Sequence, residues 1–553
     1  MKKLLPLALI CTTLAAQAQF TFQTPVKNKT KVSHRQNVVP LTAAIAYQGY
    51  DEGQAYFGQG EYEVFLDNVT GVLNKPIIVL DGFDPGDLRD INGLYNSLNF
   101  NGENLGDQLR DQGFDVVVLN SPQYTTNGKD IDGGADYIQR NAMVLVELIA
   151  QINAQKTGDE ELVVLGPSMG GLVARYALAY MEQNGLEHET RLYISFDAPH
   201  KGANIPISLQ YLINYLARSV NNDQAQAIVD EVLNSPAAKE MLYDHVLGHL
   251  LAGSDYEQDP TKLLPFGAPN FRDAFMAELA TLNFPQDTRN VAVINGSGAG
   301  TTVGTPGTEV VNTTLNLAAG VTADAILHFT PAAAQNINVT SFETFVAGFP
   351  VGFFEAAAQA LPTIDGVDAA PGGISFISNA LGGAGGNQVI IDFINALNQD
   401  EFCFIPTMSA LALQNEEDWY AIPDIGGVHT SPFDAVFIPT DNEPHTFVTK
   451  ANAQFMLDEI DDPLAVEEHF TQNNYTLAQN PVNDKITINI NPKNPNPQAT
   501  FTVHTYLGQQ VIRTTALLQG KNQWVLDHSL SAGMYFLNIA DADGNVTFKL
   551  LVK

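Results

Sequence analysis

Continuous apolar runs alternate with helical patterns between about residues 60 and 200, and this alternation limits the possible folds more than any other feature. The runs are rich in Val, Ile and Leu, as strands are when both faces of a parallel sheet are covered. Segments with apolar residues at helical spacing separate them. The five runs are PIIVLDGF (76–83), FDVVVLN (114–120), ELVVLG (161–166), RLYISFD (191–197) and NVAVINGSG (290–298). We therefore predict an α/β fold, with a mostly parallel sheet and helices on both of its faces.

Two long segments interrupt this alternation and are predicted to be insertions that form a helical cap or lid. The first, about 205–285, is mostly helical in pattern and has no strand-like run. The second, about 300–400, is rich in Ala, Gly, Thr and Asn and includes the apolar stretch TFVAGFPVGFFEAAAQAL (344–361). Such a stretch serves either as a lid or lipid-facing surface or as part of the core, and the sequence favours neither.

The two ends of the 553-residue chain differ in composition from the region between them. MKKLLPLALICTTLAAQAQ has two lysines, a short apolar run and small residues, so residues 1–18 are predicted to be a secretory signal peptide. That run is too short to span a bilayer, and no later stretch is long and apolar enough to do so. Short alternating strands fill residues 473–553, which predicts a small all-β sandwich. An acidic linker (458–472) would join it to the α/β domain (19–457).

The formal net charge of −34 excludes some classes of partner. A surface this acidic repels nucleic acid and anionic membranes, so neither is an expected partner. Only two cysteines are present, and Cys11 lies in the predicted signal peptide. The exported chain would keep Cys403 alone, so no intramolecular disulfide is expected and packing must supply the stability.

Gly166-Pro167-Ser168-Met169-Gly170 stands between the third apolar run and a helical pattern. This is the G-x-S-x-G nucleophile elbow, in which a serine at the tip of a sharp strand-to-helix turn takes a strained backbone conformation. Glycine two residues to either side avoids steric clashes in that turn. The turn exposes the hydroxyl at a helix N-terminus, where developing negative charge is stabilised. Ser168 is therefore predicted to be a nucleophile.

LGPSMGGLVARYAL followed by ISFDAPHKGANIP resembles the lipases and acyltransferases of the α/β-hydrolase superfamily, in which a TPHxG segment often follows the strand after the elbow. The resemblance covers about residues 60–450, without the insertions, and implies the α/β-hydrolase fold. It also implies an oxyanion hole built from two backbone N–H groups. One belongs to Met169, and the other comes from the loop LDGFDPG, where Phe83 is the donor and Asp81 stands in place of a histidine. We expect Asp81 to hold that loop by hydrogen bonds.

The resemblance requires a general base after the serine in chain order, and the chain has 11 histidines. His445 follows the last strand-like run in AVFIPTDNEPHTFVT and precedes a helical pattern, which is the loop that carries the catalytic histidine of this fold. His200 lies in the Pro-His-x-Gly segment and is more often structural, while His429 lies in an ordinary loop. His445 is therefore the predicted base.

The acid of the predicted triad is the least clearly marked, because the chain departs from acyltransferases similar to lecithin:cholesterol acyltransferase at the matching stretch, DEFCFIPTMSAL. Phe402 and Cys403 occupy the aligned positions there, and the neighbouring carboxylates are one or two residues away. Pancreatic-type lipases carry the acid at the end of the strand after the elbow, which is Asp197 here. Because geometry rather than chain position defines a triad, we favour Asp197 and keep Asp400 and Glu401 as alternatives.

No cofactor signature accompanies these residues. The sequence has no G-x-G-x-x-G after its first strand, no P-loop and no H-E-x-x-H. NGKDIDGGAD (127–136) has closely spaced carboxylates but lacks the distal glutamate of a calcium-binding loop, so a polar turn is expected there. Neither a cofactor nor a metal is predicted.

LAQNPVNDKITI, VHTYLGQQV and LSAGMYFLNI, followed by the basic end TFKLLVK, resemble the C-terminal sorting domain of type IX secretion in Bacteroidetes. The resemblance implies that the type IX machinery carries the chain across the outer membrane for release or surface attachment. An alternative is a carbohydrate-binding or spacer sandwich.

These features together predict a secreted lipase or esterase that acts on a hydrophobic ester through an acyl-enzyme intermediate. A polyester hydrolase or a transacylase would use the same site. The alternative from another class is a surface binding protein built on an inactive hydrolase fold, which the altered acid position would support.

Overall fold

The computed structural model describes residues 38–381, 388–461, 475–491, 498–505, 510–518, 521–541 and 545–553. The predicted signal peptide (1–18) and most of the predicted linker (458–472) lie outside the described residues. The chain divides into two compact units, Met1–Leu457 and Asp458–Lys553. In the part of the chain that is described, no helix is both long and apolar enough to cross a membrane.

Strands and helices alternate along most of the larger unit. Its strands are β1 (Val39–Tyr47), β2 (Tyr56–Phe65), β3 (Pro76–Leu80), β4 (Asn99–Phe100), β5 (Glu103–Asn104), β6 (Asp115–Asn120), β7 (Gln123–Thr126), β8 (Lys129–Asp132), β9 (Leu162–Pro167), β10 (Thr190–Phe196), β11 (Arg289–Val293), β12 (Glu309–Ala318), β13 (Val321–His328), β14 (Asn336–Val346), β15 (Phe349–Gln359), β16 (Gly372–Phe376), β17 (Glu401–Pro406) and β18 (Ala435–Phe437). The α-helices are α1 (Ile91–Asn96), α2 (Leu105–Asp111), α3 (Ile138–Gln155), α4 (Met169–Gln183), α5 (Ile207–Arg218), α6 (Asp223–Ala227), α7 (Pro236–Met241), α8 (Arg272–Leu282), α9 (Ile377–Ala380), α10 (Gln388–Asn395), α11 (Thr407–Ala410) and α12 (Lys450–Ile460). Shorter turns of 3-10 helix lie at Gly133–Ala135, Val246–Gly248 and Val367–Ala369, and a π-helix lies at Ile228–Leu233. Because α12 ends at Ile460, the first residues of the predicted linker are helical.

An eight-stranded sheet lies at the centre of the larger unit, in the order β1-β2-β6-β3-β9-β10-β11-β18. Neighbours from β6 to β18 are parallel, whereas β2 pairs antiparallel with both β1 and β6. The five apolar runs of the sequence are β3, β6, β9, β10 and β11, and their Val, Ile and Leu side chains are buried. The predicted α/β class and the mostly parallel sheet are confirmed.

The order in which the chain enters the sheet puts helices on both faces. From β3 the chain moves through α1 and α2 to β6 on one side, and it then returns through α3 to β9 on the other. Crossovers between parallel strands are right-handed, so this reversal of direction puts α3 on the opposite face from α1 and α2. The loops after the adjacent strands β3 and β9 therefore leave in opposite directions. Open α/β sheets bind their ligands in the crevice that forms at such a point, at the carboxyl ends of the strands.

The two insertions differ from each other in structure. The first is helical, as predicted, and holds α5, α6, the π-helix, α7 and α8. The second is not the helical cap that we predicted, because β12, β13, β14 and β15 form a four-stranded antiparallel sheet. These strands are rich in Thr, Val and Phe, which favour extended backbone. Within the apolar stretch 344–361, Phe354 is buried whereas Phe349 is 73% exposed, so the stretch contributes to the core only in part.

Antiparallel strands form two sheets in the smaller unit. The strands are β19 (Tyr475–Leu477), β20 (Lys485–Ile490), β21 (Gln498–Thr505), β22 (Gln510–Leu517), β23 (Gln523–Asp527), β24 (Gly533–Ala540) and β25 (Asn545–Val552). The sheet orders are β19-β20-β23 and β22-β21-β24-β25. Apolar side chains from both sheets share one core, in which the Phe501 ring stacks on Trp524 with centroids 3.8 Å apart. The predicted all-β sandwich is confirmed.

Candidate active site

Ser168 lies at the turn between β9 and α4, at the carboxyl end of a central strand. Its backbone has φ 53° and ψ −128°, a conformation that residues with side chains rarely adopt. Its N–H donates to the carbonyl of Phe196 at 2.9 Å. A Cβ on Gly166 would lie 2.5 Å from the carbonyl oxygen of Gly170, and a Cβ on Gly170 would lie 2.5 Å from that of Asp81. Close backbone contacts across the turn therefore require both glycines of the motif.

His445 lies in the loop after β18, with its imidazole beside the serine. The Nε2 atom is 2.8 Å from Oγ of Ser168. The His445 backbone N–H donates to the carbonyl of Ile374 at 2.9 Å. The Phe404 ring lies nearly perpendicular to the imidazole, with centroids 4.9 Å apart. These contacts hold the ring against the serine hydroxyl.

Asp197, directly after β10, extends this contact into a chain of hydrogen bonds. Its Oδ2 accepts a hydrogen bond from Nδ1 of His445 at 2.6 Å, and its Oδ1 accepts one from the N–H of Asn295 at 3.1 Å. The side chains of Asp197 and His445 are fully buried. With the imidazole proton on Nδ1, Nε2 accepts from the Ser168 hydroxyl, which is the arrangement that general-base catalysis needs. The structure thus brings together the serine, the histidine and the favoured acid of the sequence prediction.

The alternative acids, Asp400 and Glu401, have other surroundings. The Asp400 carboxylate accepts hydrogen bonds from the backbone N–H and the hydroxyl of Ser378, at 2.8 and 2.7 Å. Glu401 is exposed at the start of β17. Asp400 therefore stabilises the start of α9 through its hydrogen bonds to Ser378.

His200 and His429, the other histidines considered for the base, have partners of their own. Nε2 of His200 lies 2.8 Å from the hydroxyl of Ser195. Burial lowers the pKa of His200 well below its usual value, so this ring is neutral. Nδ1 of His429 accepts from the N–H of Asp424 at 2.9 Å, and its Nε2 lies 3.5 Å from a Glu416 carboxylate oxygen. Both rings stabilise local structure.

The loop after β3 packs directly against the serine. A Cβ on Gly82 would lie 3.2 Å from Cβ of Ser168, and Phe83 lines a cavity together with Ser168. Met169 is the first residue of α4, and the first N–H groups of a helix have no acceptor within it. The two predicted oxyanion donors, Phe83 and Met169, therefore belong to the segments that border the hydroxyl.

Asp81 holds this loop by hydrogen bonds, as expected. The N–H of Gly82 donates to its Oδ1 at 2.7 Å, and Nη2 of Arg89 lies 3.0 Å from the same oxygen. Burial raises the pKa of Asp81 to about 7, and the charge of Asp84 adds to the rise, although the Arg89 guanidinium opposes it. The loop therefore carries a carboxyl group that titrates near neutral pH.

We expect Asp81→Asn to change how the stability of the protein depends on pH. The pKa of Asp81 is about 7 in the folded protein and 3.8 in an unfolded chain, so its stabilising contribution is full below pH 3.8 and is lost as the pH rises through 7. Between pH 5 and pH 8 the unfolding free energy of the wild type should fall by about 3 kcal/mol relative to the variant, since one pKa unit corresponds to about 1.4 kcal/mol. Urea unfolding of both proteins at both pH values measures this change. If the wild type and the variant differ in unfolding free energy by the same amount at pH 5 and at pH 8, the prediction is wrong.

An apolar cavity opens beside Ser168, with a volume of about 420 Å³ that includes its opening to solvent. The first insertion supplies part of its wall, through Val232 of the π-helix and Met241 of α7. Phe404 of β17 forms another part. The remaining lining residues are Phe83, Pro199, Ala203, Ile205, Ala238, Leu242 and Ile405. Apart from the serine hydroxyl, the side chains that line the cavity are aliphatic or aromatic.

Asn295 connects Asp197 to the loop that carries His445, and the sequence did not predict this contact. Besides the N–H bond to Asp197, its Nδ2 donates to Oε2 of Glu443 at 2.9 Å and to the carbonyl of Phe447 at 3.1 Å. These two acceptors lie on either side of His445 along the chain. The position of Asn295 near the carboxyl end of the fifth apolar run was the signal that could have found it.

Gly373 in β16 was also missed. A Cβ on Gly373 would lie 2.1 Å from Oδ2 of Asp197, the oxygen bonded to His445. Only glycine therefore leaves room for the carboxylate. The sequence marks this position by nothing more than a Gly-Gly pair.

One group of side chains that could hold a metal occurs among the described residues, at Glu182, His188 and Asp287. The Thr190 N–H donates to Nδ1 of His188 at 3.1 Å, and Nε2 lies 3.4 Å from a Glu182 carboxylate oxygen. A neutral imidazole that accepts at Nδ1 carries its proton on Nε2. That proton occupies the atom that an ion would need, so the arrangement favours a hydrogen bond to Glu182.

Two families match separate parts of the chain. The family described as alpha/beta hydrolase fold matches residues 91–184, which include the elbow and α4. The larger unit has an α/β-hydrolase fold. The family described as secretion system C-terminal sorting domain matches residues 480–553, in the smaller unit. This sorting domain directs the protein to secretion or to the outer cell surface, as predicted.

The α/β-hydrolase unit is also similar to solved structures. The lipase BlEst2 from Bacillus licheniformis shares 15% identity, with 43% of this chain and 72% of that chain covered and a TM-score of 0.24. Est1E from Butyrivibrio proteoclasticus shares 11% identity over 43% and 74% of the two chains, with a TM-score of 0.23. YbtT, a type II thioesterase of the yersiniabactin pathway, shares 13% over 42% and 77%, with a TM-score of 0.24. No curated protein matches this chain.

Proposed function

We propose that the α/β-hydrolase unit hydrolyses carboxylic esters with Ser168, His445 and Asp197, as a secreted esterase or lipase. The observation that carries this proposal is the chain of hydrogen bonds from the serine hydroxyl through the imidazole to a buried carboxylate, with distances of 2.8 and 2.6 Å. Such a chain activates a serine, because the imidazole accepts the hydroxyl proton while the carboxylate stabilises the imidazolium that forms.

The reaction has two steps. In the first, Oγ of Ser168 attacks the ester carbonyl carbon, and Nε2 of His445 takes the hydroxyl proton and gives it to the leaving alcohol. In the second, His445 takes a proton from water, whose oxygen attacks the acyl-enzyme carbonyl carbon. The bond to Oγ of Ser168 then breaks, His445 returns the proton to Oγ, and the carboxylic acid is released. The N–H groups of Phe83 and Met169 stabilise the negative oxygen of both tetrahedral intermediates, and the N-terminus of α4 adds its positive dipole.

The cavity beside Ser168 favours an ester with a hydrophobic acyl part. An apolar acyl chain that packs against its walls would gain about 25 cal/mol of binding free energy for each Å² of apolar surface removed from water. A charged or strongly hydrated acyl group would lose its water there without finding polar partners. A polyester with apolar monomers fits the same argument, and an alcohol that replaced water in the second step would make the protein a transacylase.

The alternative, a surface binding protein on an inactive fold, drew its support from the altered acid position in the sequence. The hydrogen bond between Asp197 and His445 supplies an acid from another strand. This hydrogen bond therefore favours an active enzyme over a binding protein. The two functions are distinguished by whether Ser168 reacts with an ester or a phosphonate.

Hydrolysis of p-nitrophenyl esters of short, medium and long acyl chains by the full-length protein tests the proposal. We expect hydrolysis with a preference for apolar chains, and a single adduct on Ser168 after treatment with a serine-directed phosphonate, located by peptide mass spectrometry. Added alcohols and ester-product analysis detect transacylation. A protein that hydrolyses none of the esters and forms no adduct would overturn the proposal and favour the binding protein.

Gly373→Ala is expected to lower kcat for ester hydrolysis about 10²-fold, because a misplacement of about 1 Å in an active site has an effect of that size. The added Cβ would lie 2.1 Å from Oδ2 of Asp197, so the carboxylate must move away from His445. Steady-state kinetics with one ester measures the change.

Gly427→Ala is the matched control for this variant. A Cβ there would also clash with a carboxylate, 2.2 Å from an oxygen of Asp424, in the loop that carries His429. We expect its kcat to equal that of the wild type. An equal loss in both variants would assign the effect to general destabilisation, and an unchanged kcat in Gly373→Ala would show that the carboxylate position is unimportant.

A further inference from the structure

Arg89 binds the loop that packs against Ser168 at several points. Its Nη2 lies 3.0 Å from Oδ1 of Asp81 and donates a hydrogen bond of 2.9 Å to the carbonyl of Phe83. Its backbone N–H donates to Oδ2 of Asp84 at 2.8 Å, and its Nε lies 3.6 Å from Oδ1 of the same carboxylate. Both carboxylates are buried, with 1% of each side chain exposed. One guanidinium therefore lies against two buried carboxyl groups and one carbonyl.

The Phe83 N–H belongs to the peptide group that joins Gly82 and Phe83. Hydrogen bonds fix the orientation of the peptide groups immediately before and after this one. The Gly82 N–H donates to Oδ1 of Asp81 at 2.7 Å, which orients the preceding peptide. Arg89 binds the Phe83 carbonyl, which orients the following peptide. Peptide groups are planar and rotate only about φ and ψ. Fixing both neighbours therefore sets the direction of the Phe83 N–H between them.

We propose that Arg89 is a positioning residue for ester hydrolysis, which directs the Phe83 N–H towards the oxyanion through its contacts with Asp81 and the Phe83 carbonyl. This inference rests on the proposed function of Ser168. Without the guanidinium, the carboxylates of Asp81 and Asp84 lose their cation while they are buried, which strongly disfavours the present loop conformation. The oxyanion exists only after the serine attacks, so a misdirected donor lowers kcat and leaves KM nearly unchanged.

Arg89→Gln and Arg89→Lys in the full-length protein test this inference. We expect Arg89→Gln to lower kcat for a p-nitrophenyl ester about 10²-fold, the effect of losing one oxyanion donor. Arg89→Lys should lose only about tenfold, because an ammonium still pairs with Asp81 but lacks the planar fork that binds a carboxylate and a carbonyl together. An alkyl boronic acid forms a negatively charged adduct with an active serine. Its inhibition constant should rise in each variant by about the factor by which kcat falls.

Arg110→Gln is the matched control, because Arg110 of α2 also binds a backbone carbonyl, that of Leu66 at 2.8 Å, and lies 3.7 Å from an Asp107 carboxylate oxygen. Its kcat and boronate inhibition should equal those of the wild type. Wild-type kcat and boronate inhibition in both Arg89 variants, or a change in KM alone, would overturn the inference. If Arg89→Gln does not fold, Arg89→Lys decides by the same criteria. If the proposed function itself is wrong, the wild type neither hydrolyses esters nor reacts with the phosphonate, and this result differs from every outcome that concerns Arg89 alone.

Discussion

Ser168→Ala is expected to lower kcat for ester hydrolysis about 10⁶-fold, the scale reached when the nucleophile of other serine hydrolases is removed. Alanine leaves His445 without a hydroxyl to deprotonate, so no acyl-enzyme can form. A residual rate above that of the uncatalysed reaction comes from the oxyanion donors and the cavity. Hydrolysis of a p-nitrophenyl ester by the two purified full-length proteins measures the ratio, with phosphonate titration giving the active-site concentration of the wild type and the protein concentration giving that of the variant.

Ser195→Ala is the matched control for this prediction. Ser195 is also buried, and its hydroxyl lies 2.8 Å from Nε2 of His200, so the chain contains a second Ser–His pair of similar geometry. We expect Ser195→Ala to keep kcat within a few-fold of the wild type, with folding checked by circular dichroism. Activity that survives in Ser168→Ala and disappears in Ser195→Ala would move the nucleophile to the second pair.

Asp197→Asn is expected to lower kcat about 10⁴-fold, as the same change in the acid of a serine protease triad does. The amide presents an N–H to Nδ1 of His445, which then keeps its proton on Nε2. That nitrogen can no longer accept the hydroxyl proton of Ser168. Because the substrate cavity is untouched, we expect KM to change little, and steady-state kinetics separates the two parameters.

Asp400→Asn and Glu401→Gln complete the test of the acid. The Asp400 side chain is hydrogen-bonded to Ser378, and Glu401 lies at the exposed start of β17. Both variants should therefore keep the wild-type kcat. If Asp400→Asn lost activity while Asp197→Asn did not, the acid would be the carboxylate next to the positions that the acyltransferase pattern marks, and the loop after β10 would have a structural role.

The sequence predicted the features that local chemistry determines. The elbow combines glycines, a strand and a helix within a few residues. A close contact inside the turn requires Gly166, whereas Gly170 is required by a contact with Asp81 of a neighbouring loop. The central strands were predictable because a strand buried on both faces must be apolar throughout. Ser168 and His445 therefore lie at the positions that the neighbouring strands and helices predicted.

Features that depend on distant parts of the chain were not predictable in the same way. Gly373 is far in sequence from the carboxylate that it leaves room for, and the role that we propose for Arg89 depends on peptide orientations that no residue pattern records. Asp197 was named as the favoured acid, yet its bond to His445 joins residues 248 positions apart. The second insertion was expected to be helical because its small residues hid the alternation of its strands.

Part of the cavity wall comes from a segment of the chain that contributes nothing to the hydrogen bonds among Ser168, His445 and Asp197. Ser168 and Asp197 end strands of the central sheet, whereas Val232 and Met241 belong to an inserted segment. Substitutions in the π-helix and α7 can therefore reshape the cavity wall while the strands of the central sheet keep Ser168 and Asp197 in place. If Ser168 acts as we propose, substrate preference and catalysis can evolve separately in this protein, because different segments of the chain determine them.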